Sequence, residues 1–126
     1  MKLIWVVDDD DDMASAMQMM LKLLDCETRH FLSARLTAET LLAGERPDLL
    51  LLDINMPEVS GIDFLEFLRS RPEWNDLPVV MLSTEAADVT VDHAMAIGAD
   101  AYVTKPVALD ELEAALQKAF TVHGKA

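Results

Sequence analysis

Four apolar segments of this sequence each lead into a residue that can bind a cation or a phosphoryl group. The first is followed by Asp8 and Asp9, and the second by Asp53. The third is followed by Ser83, and the fourth leads to Lys105. Carboxylates are ligands for hard divalent cations, while hydroxyl and ammonium groups donate hydrogen bonds to phosphoryl oxygens. This combination indicates cation binding and phosphoryl chemistry, provided that the chain brings the four segments together.

The segments themselves are short and uniformly apolar, which is typical of parallel strands that are covered on both faces. They are LIWVV (3–7), LLLL (49–52), VVML (79–82) and AYV (101–103), with a weaker fifth strand at ETRHFL (27–32). Apolar residues recur at helical spacing in the stretches between them. This alternation predicts one α/β domain over residues 1–126, a (βα)5 doubly wound flavodoxin-like fold with parallel strand order 2-1-3-4-5.

That strand order makes the carboxyl ends of strands 1 and 3 neighbours at the switch point where such folds bind ligands. Asp8, Asp9 and Asp53 would then face one another. Carboxylates about 5 Å apart repel by roughly 3 kcal/mol per pair at an effective dielectric near 20. A divalent cation relieves this repulsion, and Mg²⁺ suits a site with few carboxylates, several waters and a phosphoryl oxygen. Lys105 would add a fixed positive charge.

Five consecutive aspartates follow the first apolar segment, and they cannot all be ligands. Asp8 and Asp9, at the end of the strand, are the predicted ligand pair. Asp10 is predicted with equal weight either to support the site indirectly or to have no role in it. Asp11 and Asp12 are predicted to cap helix 1, because aspartate accepts hydrogen bonds from free backbone N–H groups and opposes the helix dipole.

The overall charge limits the classes of partner. Ten lysines and arginines against 23 aspartates and glutamates leave a net charge of −13. Such a surface repels nucleic-acid phosphates and acidic lipids, so neither is expected to bind directly. No apolar run approaches the roughly 18 residues of a membrane span. The single cysteine fits a cytoplasmic location.

Other kinds of site do not match the spacing. An EF-hand counted from the first aspartate of the run would place Met13 and Met19 where glycine and glutamate are required. Walker and dinucleotide-binding glycine motifs are absent from the sequence. His30, His93 and His123 are far apart in sequence, and each is expected to be an isolated surface or half-buried side chain.

The sequence resembles the receiver domains of two-component response regulators, and among them it is similar to the single-domain chemotaxis type. The resemblance spans the whole chain and rests on WVVDDD, LLLLDINMPEVSG, VVMLST and GADAYVTKP, in this order. It implies a signalling switch rather than an enzyme. A sensor histidine kinase or phosphotransfer protein would donate a phosphoryl group from a phosphohistidine, and a downstream protein would bind the face formed by helix 4, strand 5 and helix 5.

The resemblance also implies roles for individual residues. Asp53 would be the phosphoacceptor, assisted by Lys105 and Ser83. The ligands of Mg²⁺, or of Mn²⁺ in its place, would be Asp8, Asp9, Asp53 and the backbone carbonyl of Asn55. Carboxylate attack on phosphorus would give an acyl phosphate whose hydrolysis resets the switch.

The resemblance also implies which residues take part in the conformational change and which set the lifetime of the phosphorylated state. Ser83 would meet the attached phosphoryl group, and Tyr102 would change rotamer as that hydroxyl moves. Asn55 and Glu85 flank the acceptor and the hydroxyl, and are the expected determinants of the dephosphorylation rate. The peptide bond between Lys105 and Pro106 would be cis, which costs little before proline.

Some alternatives stay open beside this interpretation. A chain ending after helix 5 favours a stand-alone regulator, and the alternative is a receiver cut from a larger protein with an effector domain. Helix 4 has neither lysine nor arginine and helix 5 has only Lys118, so dimerisation through charge pairs is doubtful and a monomer or weak dimer is expected. A haloacid-dehalogenase-like phosphatase would need a second acid where Asn55 stands, and a flavin-binding module would need a phosphate loop.

Overall fold

In the computed structural model, which describes residues 1–124, five strands alternate with five helices. The strands are β1 (Leu3–Val7), β2 (Glu27–Phe31), β3 (Leu49–Asp53), β4 (Val79–Ser83) and β5 (Ala101–Thr104). The helices are α1 (Asp11–Leu23), α2 (Ala34–Leu42), α3 (Gly61–Ser70), α4 (Asp88–Ile97) and α5 (Leu109–Val122). The predicted domain boundary at residue 126 lies outside the described residues.

The strands form one parallel sheet in the order β2-β1-β3-β4-β5, which confirms the predicted doubly wound, flavodoxin-like architecture. Its register keeps the carboxyl ends level: Val7 pairs with Leu52, and Asp53 pairs with Leu82. Because all strands are parallel, every loop that follows a strand opens at the same edge. The polar residues at the strand ends therefore share one mouth of the sheet.

The strand bounds differ from the predicted ones by one residue at most. β1 is as predicted, β2 ends one residue earlier, and β3, β4 and β5 each continue one residue further. The extra residues, Asp53, Ser83 and Thr104, are polar, and all three remain in the hydrogen-bonded ladder. An apolar pattern cannot reveal a polar residue that still pairs, so the prediction stopped too early.

The sheet is covered on both faces by separate apolar layers. One layer contains Trp5, Val7, Leu50, Leu52, Phe64 and Leu65, and the other contains Ile4, Val6, Leu49, Leu51, Leu112 and Leu116, among others. Successive residues of β1 and β3 enter opposite layers, which explains why these strands show no alternation. Burying each large side chain contributes about 1.5–3 kcal/mol. The central strands are therefore a rigid support for the residues at their ends.

The start of α1 corrects the assignment of the aspartate run. Asp10 is the N-cap, and its Oδ1 accepts hydrogen bonds from the backbone N–H groups of Asp12 and Met13, at 3.0 and 3.2 Å. Asp11 and Asp12 lie in the first turn and are not caps, so that prediction was wrong. The helix begins directly after the residue with extended backbone, and this conformation at Asp10 is what aims its carboxylate at the helix end.

The opposite edge of the sheet is held by a buried ionic cluster. Oδ2 of Asp100 accepts hydrogen bonds from Val79 N at 2.8 Å, Arg69 Nη2 at 3.2 Å and His123 Nε2 at 2.9 Å. Burial lowers the pKa of Arg69, while Asp100 opposes that shift. His123 is half-buried as predicted, but it is not isolated, because its ring ties the end of α5 to the sheet. Within residues 1–124, no helix is long and apolar enough to cross a membrane.

Candidate functional site

Three aspartates converge at the carboxyl edge of β1 and β3. Carboxylate oxygens of Asp8, Asp9 and Asp53 all lie within 4.8 Å of one another. Asp8 and Asp53 are buried, with exposed fractions of 1% and 3%, because each directly continues or ends a central strand. Asp9 is exposed. The group thus consists of two buried acids and one exposed acid.

Lys105 follows the end of β5 and approaches the acidic group. Its Nζ lies 3.4 Å from Oδ1 of Asp53 and 3.5 Å from Oδ2 of Asp8. The side chain is only 14% exposed, and its backbone N–H donates to the carbonyl of Ser83 at 2.8 Å. The peptide bond to Pro106 is cis, as predicted. One ammonium group therefore pairs with two carboxylates and leaves a net negative charge.

The charge imbalance is greatest at Asp53. Burial raises the pKa of its carboxyl group to about 6, and the negative charge of Asp8 adds to the rise. Lys105 and the backbone N–H of Asn55 lower that pKa, but only partly offset the first two causes. At neutral pH most of the Asp53 carboxyl groups are still ionised. The carboxylate is therefore available as a nucleophile, and its charge is poorly compensated.

The donor set fits a hard divalent cation. Oδ2 of Asp8 is buried and accepts no hydrogen bond from residues 1–124, although Lys105 lies near it. A buried carboxylate oxygen without a hydrogen-bond donor is costly. All available ligand atoms in the group are carboxylate oxygens, which suit Mg²⁺ or Mn²⁺ and not a soft metal. A cation among these oxygens would satisfy the free one and oppose the mutual repulsion.

A hydroxyl group and an amide lie beside the acids. Ser83 ends β4 and is completely buried, and its Oγ accepts hydrogen bonds from Glu85 N at 3.0 Å and Asn55 Nδ2 at 3.5 Å. The backbone N–H of Asn55 donates to Oδ1 of Asp53 at 3.4 Å. Asn55 thus bridges the acid and the hydroxyl.

The site continues toward α4 through the loop after β4. The hydroxyl of Tyr102 donates to the backbone carbonyl of Glu85 at 2.7 Å. The Glu85 carboxylate accepts from Thr90 Oγ1 at 3.1 Å, so it bonds to α4. Glu85 therefore has hydrogen bonds to Ser83, Tyr102 and Thr90. Movement of any of these three residues would alter a hydrogen bond of Glu85.

Residues 4–117 match the sequence family described as the response regulator receiver domain. The chain belongs to this family. It is a receiver domain of two-component response regulators, as the sequence resemblance implied. The family match covers the five strands except Leu3, and all the acidic, hydroxyl and lysine residues of the site.

Curated relatives of this receiver domain are longer proteins. Regulatory protein AtoC of Escherichia coli (strain K12) is 37% identical over 120 residues, which are 95% of this chain and 25% of AtoC. Transcriptional regulatory protein KdpE of Mycobacterium tuberculosis (strain H37Rv) is 35% identical over 121 residues, which are 94% of this chain and 51% of KdpE. The receiver domain spans about half or less of the length of these relatives.

Solved structures agree with the fold. Chemotaxis protein CheY4 of Vibrio cholerae is 25% identical, with a TM-score of 0.83 over 94% of this chain and 98% of that chain. A putative response regulator from Chloroflexus aurantiacus is 24% identical, with a TM-score of 0.88 over 95% of this chain and 98% of that chain. The second similarity, at that identity, concerns the fold alone.

Two residues beside the receiver site were missed from the sequence. His30 is half-buried as predicted, but it is not isolated, because its Nε2 lies 2.7 Å from the backbone carbonyl of Asp8. Gly61 received no role, yet a Cβ there would overlap the carbonyl oxygen of Asp53 and lie 2.8 Å from Cα of Ile54. The available signal was a glycine at the first position of a helix, where glycine is far less common than after the last.

Proposed function

We propose that this receiver domain accepts a phosphoryl group on Asp53 from a phosphohistidine of a sensor histidine kinase or phosphotransfer protein. Hydrolysis of the aspartyl phosphate would return it to the resting state. The supporting observation is the convergence of Asp8, Asp9 and Asp53 with Lys105 at one edge of the sheet. Such a site transfers a phosphoryl group to itself and is not a multiple-turnover enzyme.

The chemistry follows from the arrangement of the side chains. A carboxylate oxygen of Asp53 attacks phosphorus in line with the phosphorus–nitrogen bond, so that an acyl phosphate forms and the imidazole nitrogen leaves. Lys105, within ion-pair distance of Asp53, donates to the negative oxygens that develop. Mg²⁺ or Mn²⁺ would bind Asp8, Asp9, Asp53 and the backbone carbonyl of Asn55, and would neutralise charge on the phosphoryl oxygens.

Phosphorylation would act on the rest of the domain through Ser83. Its hydroxyl now accepts hydrogen bonds, and a phosphoryl group on Asp53 offers it a strong acceptor. Turning toward that acceptor breaks the bond from Glu85 N, and Glu85 also holds Tyr102. Ala94 is the one fully buried residue of α4, and Met95 and Ile97 are only partly buried against the core, so few buried side chains oppose displacement of this helix. The α4-β5-α5 face would thereby change its affinity for a downstream protein.

The remaining assignments of the receiver domain are proposals as well. Asn55 and Glu85 would set the dephosphorylation rate, because they contact the acceptor acid and the switch hydroxyl. The net charge of −13 opposes direct binding to nucleic acid or membranes. We expect one receiver domain over residues 1–126 that is cytoplasmic and is a monomer or a weak dimer. It would either act alone or be joined to an effector domain in a longer protein, since the relatives are longer.

Acetyl phosphate provides a direct test. Incubation of the purified protein with acetyl phosphate and millimolar Mg²⁺ is expected to add one phosphoryl group, detected by intact-mass spectrometry. The adduct should be absent in EDTA and should be removed by hydroxylamine, which cleaves acyl phosphates. Failure to label at millimolar Mg²⁺ would overturn the proposal. Sustained turnover of p-nitrophenyl phosphate would instead favour a phosphatase.

Replacing Lys105 with alanine separates transfer from metal binding. Because Lys105 lowers the pKa of Asp53 and donates to the transferring group, the labelling rate is expected to fall by about tenfold or more. Affinity for Mg²⁺, measured by calorimetry, should not weaken, because the removed group is a cation. Hydrogen exchange in the loop after β4 should no longer respond to phosphorylation. Lys118→Ala on the exposed side of α5 is the control and should behave as wild type; a wild-type rate for Lys105→Ala would contradict the assigned role.

A further inference from the structure

We propose that His30 is a positioning residue that holds the loop bearing Asp8 and Asp9 in the arrangement needed to bind a divalent cation. The proposal deepens the assignment of the metal site and rests on it. The His30 side chain is only 18% exposed and occupies the penultimate position of β2, where it pairs in register with Val6. From there it reaches across the end of β1 to the acidic loop.

The direction of the hydrogen bond is set by chemistry. Nε2 of His30 lies 2.7 Å from the backbone carbonyl oxygen of Asp8. A carbonyl oxygen can only accept, so Nε2 must carry the hydrogen in either charge state of the ring. Nδ1 faces the other way, 3.9 Å from Oδ1 of Asp11 at the start of α1. The ring therefore lies between the carbonyl that precedes Asp9 and the first turn of the helix that follows.

β2 holds the peptide groups of Asp8 on both sides. The backbone N–H of Asp8 donates to the carbonyl of Phe31 at 3.0 Å, just beyond the last paired residue of β1. β2 ends at Phe31, and among residues 1–124 the carbonyl of Asp8 takes its hydrogen bond from the His30 side chain and not from the strand backbone. The His30 side chain thus continues the hydrogen bonding between β2 and the segment after β1 by one more group, the carbonyl of Asp8.

This support reaches Asp9 through its neighbours. Oδ1 of Asp8 accepts from the backbone N–H of Asp10 at 2.9 Å, and Asp10 in turn caps α1. Asp9 lies between these two anchored residues, and its own carboxylate is exposed. Its direction is therefore set by the backbone on either side and not by packing. Without the bond from His30, the peptide after Asp8 loses its hydrogen bond to β2, and the Asp9 carboxylate is expected to shift from the position it shares with Asp8 and Asp53.

A purely structural role for His30 would be to attach α1 to β2. Another pair on the same strand already does this, since Gln18 Nε2 donates to Thr28 Oγ1 at 3.0 Å. The two contacts differ in that only the His30 ring touches a residue of the acidic group. Metal affinity, compared with folding stability, therefore distinguishes a positioning role from packing.

The experiment compares His30→Phe, which keeps a ring but has no donor, with His30→Gln, whose amide nitrogen can donate at similar reach. Thr28→Ala is the matched control on the same strand. Calorimetric titration with Mg²⁺ is expected to show about tenfold weaker binding for His30→Phe, the usual loss when a group supporting a ligand is removed. His30→Gln should bind within about threefold of wild type, and Thr28→Ala should bind as wild type. Urea unfolding in EDTA should show His30→Phe to be folded.

Wild-type affinity in His30→Phe, or equally weak binding in His30→Gln, would overturn the positioning role. A two-bond ¹H–¹⁵N spectrum of the unmodified protein provides a second test that needs no variant. It should show hydrogen on Nε2 of His30, and a neutral ring protonated only on Nδ1 would overturn the hydrogen bond itself. Asp9→Asn separates a failure of the proposed metal site from a failure of the proposed role of His30. If wild type binds Mg²⁺ and Asp9→Asn does not, the metal site stands whatever His30→Phe does; if wild type binds none, the proposed function fails.

Discussion

Asparagine in place of Asp53 is expected to reduce labelling by acetyl phosphate to background. An amide cannot supply the anionic oxygen that attacks phosphorus, and no described acid takes its place: Asp8 is buried beside Lys105, and Asp9 is exposed. Intact-mass spectrometry with millimolar Mg²⁺ measures the result. An adduct of wild-type yield in Asp53→Asn would move the acceptor to another residue.

The same substitution is expected to stabilise the metal-free protein at neutral pH. Because the pKa of Asp53 is raised to about 6 in the folded state, the folded state binds more protons than the unfolded state between about pH 4 and pH 6. The contribution of Asp53 to stability therefore falls as pH rises through this window and stays low above it. The amide side chain of the variant carries no such charge, so Asp53→Asn should be more stable at pH 7 by up to about 3 kcal/mol.

Urea unfolding in EDTA from pH 4 to pH 7.5 measures this difference. The stability of Asp53→Asn minus that of wild type should be smallest near pH 4, rise through pH 6 and then level off. Glu66→Gln, on the exposed side of α3, is the matched control and should follow wild type. Millimolar Mg²⁺ should stabilise wild type more than the variant, because it binds the folded carboxylates. If Asp53→Asn were less stable than wild type at pH 7, the conclusion that burial and Asp8 destabilise the Asp53 carboxylate would be contradicted.

Alanine at position 61 is expected to damage both stability and phosphorylation. A Cβ there would overlap the backbone carbonyl of Asp53, and the N–H of Gly61 already donates to the carbonyl of Ile54 at 2.9 Å. The atoms that must yield are backbone atoms of the acceptor segment, so α3 cannot relax without moving Asp53. Overpacking of this kind costs about 1–3 kcal/mol. We expect at least a tenfold slower labelling rate, because the acid would leave its place beside Lys105.

Gly44→Ala is the matched control for this prediction. Gly44 has a φ of +100° but open space around it, so alanine there should cost about 1 kcal/mol of stability without any effect on labelling or on Mg²⁺ affinity. Urea unfolding, calorimetry and labelling rates measure the three quantities for both variants. If Gly61→Ala labelled at the rate of Gly44→Ala, the close contact between α3 and the acceptor segment would have no functional meaning.

Composition and periodicity were sufficient for the architecture and for the acids. A strand that is buried on both faces must be apolar at every position. LIWVV and LLLL could therefore be recognised as strands without knowledge of the strands they pair with. In a parallel sheet all carboxyl ends lie at one edge, and this rule together with the strand order 2-1-3-4-5 brings Asp8, Asp9, Asp53 and Lys105 together. The family resemblance then named the chemistry, which the family match over residues 4–117 supports.

The supporting contacts became visible only in three dimensions. Asp10, and not Asp11 or Asp12, caps α1 because its backbone is extended. His30 reaches Asp8 because β2 pairs with β1 in a particular register. Gly61 matters because α3 starts against the backbone of the acceptor. Each of these contacts joins atoms within a few ångströms, and the contact between His30 and Asp8 joins residues that are 22 positions apart in the chain. A pattern of residue types specifies which faces are buried, but such distances are set by how the faces pack.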